Sequence, residues 1–157
     1  RVLFRSDNPT TEYYSKQLRL FLLYLKQRYH HVPITTCVID SEATHYHNRL
    51  IADNIPHTLA VKGAGSVNEG VQHLQSLIYK GYYYVYKQNS IKHMNDDGTP
   101  QFSGKDEGII ELESYRYDTI RSAKTGIDCY VKEFDHHIDA TRYLLAEWKE
   151  QDKCPVV

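Results

Sequence analysis

Apolar side chains recur every three or four positions over the first part of the chain, which is the spacing of one face of an α-helix. The positions with this spacing are Tyr14, Leu18, Phe21, Leu22, Leu25 and Tyr29. Thr10 or Thr11 suits the N-cap, and Glu12 then lies in the first turn, where a carboxylate is favourable. We therefore predict a helix over residues 11–30.

A short β-branched run over residues 34–39 follows Pro33 and ends at Asp40. Such a run is typical of a buried strand in a parallel sheet. Helices and strands then alternate, with Ser41 and Ser66 as N-caps: a helix over residues 42–54, a strand over 58–61, a helix over 66–80 and a strand over 82–87. This alternation predicts an α/β domain with parallel neighbouring strands.

The last third of the chain is less regular. The predicted elements are an exposed polar loop over residues 92–106, a short helix over 109–115, a hairpin with its turn at 125–126 between strands within 117–131, and a final helix over 135–150. Three of the predicted helices also have residues predicted to face inward. These residues are Tyr46, Leu50 and Ile51 on the helix over 42–54, Val67, Val71, Leu74 and Ile78 on the helix over 66–80, and Thr141, Leu144, Leu145 and Trp148 on the helix over 135–150.

Composition narrows the classes of protein that fit this pattern. The chain has 157 residues, 41% of them hydrophobic and 25% charged, which is the profile of one soluble globular domain. Its net charge of −1 means that any contact with nucleic acid must come from a local basic patch. We expect no membrane association because no apolar run approaches the ~20 residues of a membrane span. The three cysteines form no C-x-x-C pair, which favours a reduced, cytosolic chain.

The first six residues, Arg-Val-Leu-Phe-Arg-Ser, are also what the DNA string CGT GTG CTC TTC CGA TCT encodes. That string resembles the end of a sequencing adapter, so our hypothesis is that residues 1–6 are a scar and that natural sequence begins near Asp7. Scars are set aside before a fold is inferred. The alternative is a native strand, because Val-Leu-Phe favours β structure.

Asp40 is the first candidate for chemistry, because ligands bind beyond the carboxyl ends of strands in open α/β sheets. A carboxylate at that edge could hold a metal ion, or it could only cap the helix that follows. The second candidate is the pair Asp135 and Asp139, which lie at i and i+4 on one helical face with Arg142 nearby. Their oxygens would suit Mg²⁺ or Mn²⁺, while acids in a first helical turn also complement the helix dipole.

Two further kinds of site are disfavoured by spacing. The histidines at 45 and 47, and at 136 and 137, do not share a helical face, and no cysteine joins them in a zinc pattern. The Gly-Ala-Gly at 63–65 lacks the Gly-Lys-Ser/Thr ending of a phosphate-binding loop, so no nucleotide site is indicated.

Four segments together resemble one known family, the C-terminal nuclease domain of the large terminase subunit of tailed bacteriophages. The segments are Cys37-Val38-Ile39-Asp40 with Ser41-Glu42-Ala43, Ser66-Val67-Asn68-Glu69-Gly70-Val71, Glu111-Leu112-Glu113-Ser114-Tyr115-Arg116-Tyr117-Asp118, and Asp135-His136-His137-Ile138-Asp139-Ala140-Thr141-Arg142-Tyr143. The last segment, which resembles an Asp-His-x-x-Asp-Ala-x-Arg-Tyr motif, is the most specific. Tyr117 stands where the family usually has Trp.

The resemblance implies a ribonuclease H-like fold, with a mixed sheet flanked by helices, and a DNA endonuclease that binds two Mg²⁺ or Mn²⁺ ions through three acids. Asp40 would be the second acid, Asp135 the third, and Asp139 a supporting acid or a further metal ligand. No residue before Asp40 matches the first acid. We therefore expect residues 7–157 to be part of a nuclease domain that lacks its first strands, with weak stability and little nuclease activity alone.

The resemblance also implies partners and a place. The partners would be double-stranded viral DNA, the portal protein and the small terminase subunit, in the host bacterial cytoplasm, with ATP bound only by a domain upstream of this chain. The loop over 92–106 and the hairpin near Gly126 are candidates to touch DNA. Two alternatives stay open: another ribonuclease H-like nuclease such as a Holliday-junction resolvase, and a non-catalytic module that docks on DNA or on a portal.

Overall fold

The computed structural model describes residues 10–34, 36–85, 90–131, 133 and 135–147. These residues form a mixed α/β structure with two small sheets. The elements are α1 Thr11–Arg28, β1 Val38–Ile39, α2 Thr44–Ala52, β2 Thr58–Leu59, α3 Ser66–Tyr79, β3 Ile91–Met94, β4 Pro100–Phe102, α4 Glu107–Ser114, α5 Thr119–Thr125 and α6 His136–Glu147. The chain divides into two compact units. Unit 1 comprises Arg1–Leu59 and Tyr86–Glu107, and unit 2 comprises Ala60–Val85 and Gly108–Val157.

Helix α1 begins as its sequence predicts. Thr10 is the N-cap, and its hydroxyl accepts a hydrogen bond from the backbone N–H of Tyr13 at 3.2 Å, which satisfies one of the free donors of the first turn. The helix packs against α2. Leu50 is fully buried in a cluster with Ile39 and Ile55, and the half-buried Leu18 and Leu22 of α1 pack against this cluster.

The two sheets of unit 1 differ in direction. Strands β1 and β2 are parallel, with Val38 opposite Thr58, as predicted for the run that ends at Asp40. Strands β3 and β4 form an antiparallel hairpin. Buried Gln17 joins α1 to this hairpin, because its side chain accepts from the N–H of Met94 at 2.5 Å and donates to the same residue's carbonyl at 3.2 Å.

Unit 2 is built on the contact between α3 and α6. Its core consists of Leu74, Leu77, Ile138 and Leu145, all less than a tenth exposed. The half-buried side chains of Tyr83, Leu112 and Tyr115 pack against this core. Gly70 of α3 lets the two helices approach, since a Cβ there would lie 2.9 Å from Cγ of Arg142.

Two segments differ from the sequence prediction in kind. Residues 92–106, predicted as a loop, contain most of β3 and all of β4. The hairpin predicted around residues 125–126 is instead helix α5, flanked by a single antiparallel bridge between Tyr117 and Tyr130. Residues 82–85 of the strand predicted over 82–87 are not a strand, and its residues 86 and 87 lie outside the described residues.

Smaller corrections concern caps and inward faces. Helix α2 begins at Thr44 with Ala43 as N-cap, and α3 has Gly65 rather than Ser66 at its N-cap. Three residues predicted to face inward are instead well exposed: Ile51 at 57%, Ile78 at 46% and Leu144 at 48%. The predicted inward position Trp148 lies outside the described residues. Within the described part of the chain, no helix is long and apolar enough to cross a membrane.

Candidate functional site

Asp40 lies where the sequence predicts, immediately after β1, in unit 1. Its carboxylate Oδ1 accepts a hydrogen bond from the backbone N–H of Glu42 at 2.8 Å, and its carbonyl accepts from the N–H of Ala43 at 3.1 Å. These bonds form the tight turn that leads from β1 to α2. Asp40 therefore shapes the strand-to-helix connection and also presents a carboxylate at the carboxyl end of a parallel strand.

Asp135 and Asp139 lie in unit 2, one helical turn apart, as their spacing predicts. Asp135 directly precedes α6 and is only 8% exposed. Its backbone carbonyl accepts the N–H of Asp139 at 2.8 Å, which is the first turn of the helix. The two carboxylates thus occupy the positive end of the helix dipole, where negative charge is stabilised.

Arg142 neutralises one of these two acids. Its guanidinium Nη2 donates to Oδ1 of Asp139 at 2.5 Å, and its Nη1 donates to the carbonyl of Ser66 at 3.4 Å. The side chain is 5% exposed, its stem lies against Gly70, and its guanidinium lies 5.5 Å from the ring centre of Tyr143. The Nε of Arg142 is buried, and none of the described residues hydrogen-bonds to it. Asp139 is therefore held in a largely buried ion pair.

Glu111 is a buried acid that the sequence prediction did not assign a role. It lies on α4, is 6% exposed, and its carboxylate accepts the backbone N–H of His137 in the first turn of α6. The ring of His137 packs on Gly108, where a Cβ would lie 3.0 Å from Cε1 of the ring. The hydroxyl of Tyr83 lies 3.0 Å from Nε2 of that ring. These contacts fix the start of α6 and so fix the backbone that carries the two aspartates.

The start of α6 therefore gathers a set of charged side chains that we call the acidic cluster: Glu111, Asp135, Asp139 and Arg142. It holds three carboxylates and one guanidinium. Tyr115 lies within electrostatic reach of the cluster. Burial raises the pKa of the Tyr115 hydroxyl to about 12, Arg142 acts in the opposite direction, and the carboxylates of Asp139 and Asp135 add to the increase.

The acidic cluster fits a hard divalent cation in the chemistry of its donors and in its excess of negative charge. The positions of its side chains fit a metal ion less well than their chemistry does. Among the described residues, no three His, Cys, Asp or Glu side chains are grouped closely enough to hold one metal ion, and Asp139 is already paired with Arg142. Asp135 and Asp139 are the residues of unit 2 that the resemblance assigns to the metal, and the ion pair with Arg142 gives Asp139 a positioning role as well.

Comparisons with models of known protein families, with curated protein sequences and with solved structures gave no match.

Proposed function

We propose that this chain is part of the nuclease domain of a tailed-bacteriophage large terminase subunit, a metal-dependent endonuclease of ribonuclease H-like fold that cuts concatemeric viral DNA during packaging. One observation supports the proposal most. The motif from Asp135 to Tyr143 forms the first turns of α6, where buried Asp135 precedes the helix, Glu111 accepts the N–H of His137, and Asp139 pairs with buried Arg142. Buried acids in excess over cations are the setting in which enzymes that cleave phosphodiester bonds hold divalent ions.

In this proposal some residues bind the metal ion and others hold helix α6 in position. Asp40 in unit 1 and Asp135 in unit 2 would each offer carboxylate oxygens to Mg²⁺ or Mn²⁺. Such an ion would activate a water and stabilise the leaving oxygen. Asp139 holds Arg142 by its ion pair, and the Arg142 stem supports the contact between α6 and α3 at Gly70. Glu111 holds the N-terminal turn of α6 through the N–H of His137, which fixes where Asp135 points.

The partners and the place follow from the same proposal. Double-stranded viral DNA would be held mainly through its phosphates, so binding should weaken as salt rises. The portal protein and the small terminase subunit would be protein partners in the host bacterial cytoplasm, and ATP would serve a separate domain of the full terminase.

Calorimetric titration with Mn²⁺ tests the metal ligands. We expect Asp135→Asn and Asp40→Asn each to weaken Mn²⁺ binding at least about tenfold, since even loss of a residue that only supports a ligand costs that much. Glu113→Gln is the matched control, because Glu113 is an exposed acid on α4, and it should leave the affinity unchanged. Equal affinity in the wild type and Asp135→Asn would rule out this metal site.

A plasmid-nicking assay in Mn²⁺ tests activity separately. We expect the isolated chain to cleave little, because two acids hold a pair of metal ions poorly. Efficient cleavage by the purified chain, abolished by Asp135→Asn, would contradict that expectation and would show that the acids present here suffice.

A non-catalytic docking module is the second candidate, and the ion pair between Asp139 and Arg142 favours it. In a docking module the acidic cluster would only hold α6 against α3 and α4. That function predicts no Mn²⁺ binding by the acidic cluster, together with DNA or portal binding that is indifferent to Asp135→Asn.

A further inference from the structure

Two histidines that are distant in the sequence meet in unit 1, outside the acidic cluster. His47 lies on α2 and His57 precedes β2, and Nδ1 of His47 lies 2.8 Å from Nε2 of His57. Their rings are nearly perpendicular, at 78°, and both side chains are half-buried. We propose that His47 and His57 form a binding site for a late divalent transition-metal ion, with Cu²⁺ as the favoured ion.

The hydrogen bond of His57 to the backbone prepares it as a ligand. Its Nδ1 lies 2.7 Å from the carbonyl of Ile55, and a carbonyl only accepts, so Nδ1 carries the proton. The other nitrogen, Nε2, therefore carries the lone pair. Metal-binding histidines usually have this arrangement, in which a backbone carbonyl or carboxylate fixes the tautomer and the ring orientation. The same Ile55 donates its N–H to Leu50 at 2.9 Å, which fixes the carbonyl that holds His57.

The metal would take the place of the proton now shared between the rings. In the neutral pair, Nδ1–H of His47 donates to Nε2 of His57, because Nε2 has no proton. When a metal binds, that proton transfers through solvent to Nε2 of His47, and both facing nitrogens then offer lone pairs. Both imidazoles stay neutral, which is the form that binds metals.

The chemistry of the two ligands indicates which metal ions they prefer. The 2.8 Å between the nitrogens is the length of the hydrogen bond between the rings, and a small rotation of each ring would turn both lone pairs toward one ion. Imidazole nitrogens bind Cu²⁺ more tightly than Ni²⁺ or Zn²⁺, which makes Cu²⁺ the favoured ion. In the described residues no third His, Cys, Asp or Glu completes a ligand group, so water would occupy the remaining positions.

The test is Cu²⁺ titration of the whole chain, followed by calorimetry and by electron paramagnetic resonance. We expect one Cu²⁺ with hyperfine structure from two nitrogens, and weaker binding to Ni²⁺ and Zn²⁺ in that order. His57→Gln and His47→Gln should each lower the Cu²⁺ affinity at least about tenfold and leave a one-nitrogen signal in any ion still bound. Circular dichroism confirms that each variant is folded, and either variant alone is sufficient for the comparison.

His45→Gln is the matched control, because His45 lies on the same helix and is exposed. It should leave the Cu²⁺ affinity and spectrum unchanged. Unchanged Cu²⁺ binding by the double variant His47→Gln/His57→Gln would overturn the proposal, as would an equal loss in His45→Gln, since the ion would then be held by surface histidines. Asp135→Asn should not affect Cu²⁺ binding, so this site and the proposed nuclease site succeed or fail separately.

Discussion

The ion pair between Asp139 and Arg142 gives an asymmetric prediction about stability. The side chain of Arg142 is 5% exposed, and Asp139→Asn leaves its guanidinium without the carboxylate that pairs with it. Breaking a fully buried pair in this way costs ~3–5 kcal/mol. Because the Asp139 side chain is 23% exposed, water screens part of the pair, and we expect a loss of about 2–4 kcal/mol in the free energy of unfolding.

The opposite substitution should cost less. Arg142→Met removes the cation but keeps an unbranched stem that can still pack on Gly70. The carboxylate of Asp139 is then left partly hydrated at the positive end of the α6 dipole, which favours it. We expect a loss of about 1–2 kcal/mol, and the double variant should be more stable than the sum of the single losses predicts, by about 1–2 kcal/mol.

Urea unfolding followed by far-UV circular dichroism measures all four proteins of this cycle. Glu113→Gln is the control, because an exposed acid should change the free energy of unfolding by no more than about 0.5 kcal/mol. Equal single losses that add to within about 0.5 kcal/mol would refute the reasoning. Asp139 would then not be held by Arg142 in solution, and its carboxylate would have to be reconsidered as a metal ligand.

Three further predictions concern packing and pH. Gly70→Ala should lower the free energy of unfolding by ~1–3 kcal/mol in urea, because the new Cβ would lie 2.9 Å from Cγ of Arg142. Gln17→Leu should cost about 2–4 kcal/mol in the same assay and speed amide exchange in β3, because it leaves a buried backbone N–H and carbonyl of that strand unsatisfied. The Arg49 guanidinium holds the pKa of Asp53 below its usual 3.8, so this contribution to stability is present above that pH and is lost as the pH falls through the lower folded-state pKa. Asp53→Asn should therefore show a weaker loss of stability on acidification when unfolding is followed at a series of pH values.

The sequence predicts best where one strong local signal acts alone. The cap at Thr10 and the regular apolar spacing after it predict helix α1 correctly, with its C-terminal end two residues beyond the observed one. The β-branched run before Asp40 is correctly predicted as a parallel strand, although only Val38 and Ile39 are paired. On α3 the predicted face is displaced by one residue, because Leu77 rather than Ile78 meets the core of unit 2.

The sequence predicts a loop where the hairpin of β3 and β4 lies, and this error has a physical reason. Ile91 and Met94 are buried while Lys92 is exposed, and an irregularity in the register between Ile91 and His93 breaks the strict alternation that marks a strand. The polar run at Asn95, Asp96, Asp97 and Gly98 is the turn of the hairpin rather than the middle of a loop.

Helix α5 is absent from the sequence prediction because its C-terminal end, at residues 125–126, is interpreted there as the turn of a hairpin. Asp118 accepts the N–H of Arg121 at 2.9 Å as a side-chain N-cap, and Gly126 ends the helix in the left-handed conformation at φ +68°. Both residues are also typical of tight turns. With only seven residues between them and none of those buried, no apolar periodicity favours the helix.

At the candidate site, the sequence predicts the helical positions of Asp135 and Asp139 but not how each is used. Spacing shows that both share a face with Arg142, yet it cannot show which acid the arginine pairs with. Glu111 was not assigned a role because an acid at a helical position is usually solvated. Only tertiary contact shows that its carboxylate holds the first turn of α6.

Metal binding at Asp135 in unit 2 separates the proposed nuclease from a docking module most directly. The measurement is paramagnetic broadening of the amide NMR signals of the chain by substoichiometric Mn²⁺. A nuclease predicts that amides next to Asp135 lose intensity, that Asp135→Asn abolishes this effect, and that Glu113→Gln leaves it unchanged. Broadening that does not reach the amides next to Asp135, or that persists in Asp135→Asn, would contradict metal binding there and would favour a docking module whose acids serve the fold alone.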